Sequence, residues 1–137
     1  DASVLQRNAF ASEHLLLPLD FTTGATQSRL LGQGLPSRVK HLLTSRPVTV
    51  NLHHDGVSPS AFANDPGLRA FFRVLSTNDD SNNKSFVSTI EGIHAPVYGV
   101  QWHPERPQYD WVYRAQPPQL DHSLEAVEAM QWIALFL

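Results

Sequence analysis

No cysteine occurs among the 137 residues. That excludes a disulfide framework, a thiolate metal site and a cysteine nucleophile carried by this chain. Runs of lysine and arginine are missing too, and with a net charge of -3 and scattered basic residues a nucleic-acid partner is not expected. No apolar stretch approaches the ~20 residues that a membrane helix needs, and the N-terminus carries no signal-peptide pattern. There is no internal repeat and no low-complexity tract. Seven histidines are many for this length, but positions 14, 41, 53, 54, 94, 103 and 122 match no compact zinc motif. Neither a metal nor a cofactor is therefore expected.

What is present suffices for one core. A hydrophobic fraction of 42% against 17% charged residues predicts a single globular unit over residues 1–137. The chain starts at Asp1 without a methionine and stops at Leu137 inside an apolar helical pattern, so it reads as a processed or partial product. Extended segments are expected at Ser3 to Leu5 and at His14 to Phe21, the second interrupted by Pro18. After the polar loop Thr22 to Thr26, a brief turn is expected from Ser28 to Leu31. Pro36 opens a helix whose Val39, Leu42 and Leu43 fall on one face, and Arg46-Pro47 closes it.

Val48 to His53 alternates and is rich in β-branched residues, which predicts a strand ending on a histidine. His54-Asp55-Gly56 reads as a turn. Asp65 caps a short helix that starts at Pro66, with Leu68, Phe71 and Phe72 as its expected buried side. Arg73 to Thr77 and Phe86 to Ile90 read as a hairpin joined by the polar run 78–84. A strand over 97–102 follows. The segment Arg106 to Gln119 reads as a surface loop whose aromatic residues pack on the sheet. Asp121 or Ser123 caps a final helix with Val127, Met130, Ala134 and Leu137 as its buried stripe. Together these elements predict a layered α/β unit with helices on a mixed sheet, in which ligands bind beyond the carboxyl ends of the strands.

The chemistry concentrates at Val97-Tyr98-Gly99-Val100-Gln101-Trp102-His103-Pro104-Glu105. Pro104 has no amide hydrogen for a ladder and pushes His103 to an extended backbone, so the strand stops with an imidazole at its tip. In an extended chain, Glu105 would emerge on the same side as His103 and orient it. His53 stands at a second strand end, with His54 beside it as a competitor for the same role. Asn83-Lys84-Ser85 is an N-glycosylation sequon in a polar loop, making Asn83 a candidate glycan acceptor.

The runs Phe86 to Gly92, Pro96 to Glu105 and Tyr109-Asp110-Trp111 resemble γ-glutamyl hydrolase, a cysteine peptidase family with the class I glutamine amidotransferase-like fold. Pro18 to Thr22, Ser28-Arg29, Asn51-Leu52-His53 and Phe71 to Asn78 resemble further landmarks of that family's C-terminal part. The resemblance implies a three-layer, flavodoxin-like α/β sandwich with a mixed sheet and flanking helices, present here as its C-terminal portion. It implies hydrolysis of γ-glutamyl bonds, typically in folate poly-γ-glutamates, in a lysosome or vacuole or outside the cell.

His103 matches the family's catalytic histidine, Glu105 the last position of its His-Pro-Glu triplet, and His53 a second histidine near the site, as a substrate contact. The nucleophilic cysteine would lie upstream, so the implied partners are a γ-glutamyl substrate and an N-terminal segment carrying that cysteine; a homodimer is a further candidate. Two other readings stand beside this one. One is a non-catalytic secreted module that keeps the fold for binding or assembly. The other is an amidotransferase that passes ammonia to a synthetase.

Overall fold

The computed structural model describes residues 4–111 and 120–137. β1 (Ser12–Leu17) pairs antiparallel with β3 (Thr49–His53), running from Ser12 opposite His53 to Leu17 opposite Thr49. His14 has a φ of 58° and drops out of the register as a bulge, which lets the strand bend before Pro18 ends it. β2 (Asp20–Phe21), β4 (Phe72–Asp79), β5 (Ser85–Gly92) and β6 (Tyr98–Val100) form a second sheet in the order β2-β4-β5-β6.

Every strand pairing among the described residues is antiparallel, where a mixed sheet was expected. The physical reason lies in the connections. β4 and β5 are joined by a tight turn and β5 and β6 by a short loop, and connections that short permit only antiparallel neighbours. The molecule is thus a mixed α/β structure of antiparallel sheets with flanking helices. One bond links the two sheets near their ends, the His103 amide donating to the Val50 carbonyl at 2.9 Å.

α1 (Ser37–Ser45) follows Pro36 and buries Val39, Leu42 and Leu43, the face its periodicity predicts. α5 (Leu124–Phe136) starts at Ser123, whose hydroxyl accepts from the Ala126 amide at 3.2 Å. Its buried residues are Ala126, Ala129 and Met130 rather than the stripe through Val127, Ala134 and Leu137; Ala134 and Leu137 are exposed. With apolar residues on nearly every side, the helix turns its small side chains inward so that it can approach α1 closely. Arg38 reaches across from α1 to Glu128 at 2.8 Å. The core is assembled between these helices and the sheets from Leu19, Leu43, Val48, Leu75, Trp102 and Met130.

Four smaller expectations change. α2 (Pro59–Asn64), capped by Ser58, precedes α3 (Pro66–Phe71), which Asp65 caps as expected. α3 buries none of its residues; Phe71 is exposed and packs edge-on against Phe72, which belongs to β4 rather than to the helix. The expected surface loop opens as α4 (Arg106–Tyr109), and its continuation over 112–119, with Val112 and Tyr113, lies outside the described residues. Val4 and Leu5 bend rather than form a strand, while Ser3 lies outside the described residues.

Residues 6–11 instead strap two loops together. Gln6 exchanges backbone hydrogen bonds with Gly56, the amides of Ala9 and Phe10 donate to the His54 carbonyl, and the Ala11 amide donates to the Asp80 carboxylate. Lys84 completes the strap, donating to the Ala9 carbonyl at 2.9 Å with its ammonium 4.2 Å from the Phe10 ring centroid.

Candidate active site

Trp102 fixes the tip of the β6 segment. Its side chain is buried, and its indole N–H donates to the Thr89 hydroxyl at 3.2 Å, which also accepts from Ser76 at 2.8 Å. A buried tryptophan needs such a partner, and satisfying it here leaves the next residue pointing the other way. His103 therefore stands partly exposed at the tip, its backbone tied to Val50.

The chain does not stay extended after Pro104. Glu105 has helical dihedrals and caps α4, yet its carboxylate comes back to His103 Nδ1 at 2.8 Å. A carboxylate can only accept, so Nδ1 carries the proton and donates. That leaves Nε2 free to accept a proton, and to give it back once it has done so. The Glu105 side chain is 56% exposed, so the pair owes more to orientation than to electrostatic strength.

His53 ends β3 in a different environment. Its Nδ1–H donates to the Asp55 carbonyl at 3.0 Å, Phe86 meets the ring edge-on at 4.8 Å, and Nε2 is buried with no hydrogen-bond partner among the described residues. Burial pushes its pKa below the ordinary 6.5, and positive charge on His103 or His54 pushes the same way, against a smaller opposing effect of the Asp55 carbonyl. The neighbouring His54 has different partners. His54 turns towards the strap, with Nε2 3.1 Å from a Glu13 carboxylate oxygen and Nδ1 3.3 Å from the Phe10 carbonyl.

The shift carries a sign. Between the folded and the unfolded pKa of His53 the unfolded chain binds the extra proton, so this contribution to stability is present above the ordinary imidazole pKa and is lost as pH falls through it. Denaturant unfolding from about pH 8 to about pH 5 is expected to show falling stability, with a shallower slope in a His53→Gln variant. An unchanged slope in that variant would assign the acid sensitivity elsewhere.

The other sequence candidates are placed apart. Asn83 is exposed, with φ 59°, in the turn between β4 and β5. His122 stacks on Trp111 with ring centroids 4.1 Å apart, and donates from Nδ1 to the Pro107 carbonyl at 2.8 Å. Tyr109 and Trp111 are 78% and 68% exposed, not packed on the sheet, and Tyr109 joins Glu105, Arg106 and Asp110 around a hollow of about 330 Å³. No group of three or more histidine, aspartate or glutamate side chains among the described residues could hold a metal ion. No described helix is long and apolar enough to cross a membrane.

Sequence reasoning missed the buried polar residues inside the strands, among them Ser12, Asn51 and Glu91. The available signal was a polar residue at an inward position of an alternating run. The Glu91 carboxylate accepts from the Arg29 amide at 2.9 Å and the Leu30 amide at 3.0 Å, holding the 28–31 turn on β5.

A histidine oriented by a carboxylate at a strand tip can take up and release a proton, the chemistry that hydrolytic and group-transfer sites use. Curated proteins make the class specific. The chain is 36% identical over 93% of its length to gamma-glutamyl hydrolase B of Dictyostelium discoideum. It is 40% and 38% identical over 88% of its length to the gamma-glutamyl hydrolases of Bos taurus and Homo sapiens. The chain belongs to the gamma-glutamyl hydrolase family. It spans about a third of the length of these relatives, 35% to 36%. No family model matches it.

Proposed function

We propose that this chain is the C-terminal part of a γ-glutamyl hydrolase with the class I glutamine amidotransferase-like fold, and that it supplies the acid/base half of a Cys-His site. The observation that carries this reading is the 2.8 Å contact of Glu105 with His103 Nδ1, which leaves Nε2 for proton transfer. The nucleophile is a cysteine on an N-terminal segment of the same protein. Its thiolate attacks the γ-carbonyl, and the tetrahedral adduct collapses to a thioester as the protonated His103 hands its Nε2 proton to the departing amine. Neutral His103 then takes a proton from water as that water attacks the thioester, and collapse of the adduct releases the acid and restores the thiolate beside protonated His103. His53, kept neutral by burial, contacts the substrate beside this centre.

The substrate class is a γ-glutamyl peptide, with folate poly-γ-glutamate as the natural form, and the site of action is a lysosome or vacuole or the extracellular space. Asn83, exposed in its turn, is the glycan acceptor that such a route would use.

The test compares the 137-residue chain with the same chain expressed together with its cysteine-bearing segment. Cleavage of a γ-glutamyl peptide is expected only from the complete protein, and thiol alkylation is expected to stop it. Hydrolysis by the chain alone would overturn the split site, and a complete protein that binds but never cleaves would favour the non-catalytic module.

A further inference from the structure

Three buried polar atoms on one patch of the β1–β3 ladder have no hydrogen-bond partner among the described residues: the Ser12 hydroxyl, Asn51 Oδ1 and His53 Nε2. Ser12 and His53 are register partners, and cross-strand partners share a face. Asn51 precedes His53 by two positions on β3, so strand alternation puts it on that face as well. Ser12 and Asn51 are both completely buried. The amide of His103 is fastened to Val50, next to Asn51, so this patch adjoins the proposed acid/base residue.

The chemistry of the three atoms is one-sided. Asn51 has committed its NH₂ to the Thr49 carbonyl at 3.2 Å, which leaves Oδ1 as an acceptor. His53 has committed Nδ1–H to the Asp55 carbonyl, which leaves Nε2 as an acceptor. The Ser12 hydroxyl has one proton to give. One proton cannot satisfy two acceptors, and a buried acceptor left unpaired is costly enough that native structures rarely retain a group of them.

We propose that Ser12 and Asn51 are positioning residues for His53, acting through an ordered water held among their side chains. The water accepts from the Ser12 hydroxyl and donates to Asn51 Oδ1 and to His53 Nε2, three hydrogen bonds in all, the usual number for a buried water. It holds His53 neutral, with Nδ1 protonated and the ring fixed at the strand end. With both ring nitrogens engaged, the substrate contact proposed for His53 is made through the ring edge or through this water; that relevance to catalysis rests on the reading of His53 as part of the site, and the water's detection does not.

The decisive variant is Ser12→Ala, which removes a single oxygen from the full chain. With the histidines labelled with ¹⁵N, the His53 Nε2 resonance is expected to move, its titration to shift, and the thermal midpoint to fall. Ser12→Thr, which restores a hydroxyl, is expected to return the resonance towards its native position. Asn51→Leu, close in volume and unable to accept, is expected to displace it in the same sense as Ser12→Ala.

A His53 resonance unmoved by Ser12→Ala, with a thermal midpoint that rises because an unpaired hydroxyl has been removed, would overturn the proposal. Because the readout is spectroscopic, failure here is separable from failure of the hydrolase reading. An unmoved resonance beside intact γ-glutamyl cleavage would sink only the water.

Discussion

Turnover of a γ-glutamyl peptide by the complete protein is expected to fall by roughly 10²- to 10⁴-fold when His103 is replaced by alanine. The magnitude follows from what the ring does in the proposed cycle: it protonates the leaving amine in one step and deprotonates water in the next, and no described residue stands in the same position. The fold should survive. His103 is partly exposed, and alanine retains the backbone amide that ties it to Val50, giving up only the contact with the exposed Glu105 side chain. The loss should therefore appear in kcat with an unchanged thermal midpoint. Glu105→Gln tests the neighbouring role. Glutamine keeps an oxygen that can accept from Nδ1, so it should cost far less than losing the ring. Near-native turnover in His103→Ala would remove this strand tip from the mechanism.

The largest structural effect is expected at Glu91. Its side chain is 4% exposed, and it holds the amides of Arg29 and Leu30 together with the Arg29 guanidinium, whose Nε lies 3.4 Å away. Arg29 itself is 44% exposed, so water screens that ion pair and the two backbone donors carry most of the interaction. Glu91→Ala strands both amides and leaves a hole on β5. Leaving a buried donor unsatisfied costs about 1–3 kcal/mol, and a chemical denaturation curve should register a loss of that order. Glu91→Gln, which still offers one acceptor oxygen, should lose clearly less. Equal losses in the two variants would mean that volume, not hydrogen bonding, holds the 28–31 turn.

Legibility in the sequence followed the strength of local signals. β3, the β4–β5 hairpin and α1 were readable because alternation, a polar connector and an i, i+3, i+4 apolar face each admit one interpretation. α5 was readable as a helix but not as an oriented one, because a helix apolar on most sides names no inner face. α2 left only the Ser58-Pro59 pair as a trace, too little for a six-residue element. The β4–β5 hairpin reading already implied one antiparallel pair; the antiparallel pairings of β1 with β3 and of β2 with β4 were hidden because alternating strands and helices suggest crossovers.

At the site, Pro104 made the strand end and its histidine visible, but not the bend that carries Glu105 back to the ring. The choice between His53 and His54 could not be made from the sequence. The structure separates their surroundings: His54 is held by Glu13 and the strap, and His53 by the Asp55 carbonyl and Phe86.

That strap bears on how the molecule can be dissected. Gln6 to Ala11 form no helix and no named strand, yet they fasten the His54 to Gly56 turn, whose Asp55 carbonyl sets the proton position on His53, to the turn that begins at Asp80. A recombinant boundary drawn after residue 11 would spare every residue of the proposed site. It would still release the carbonyl that tells His53 which of its nitrogens to protonate.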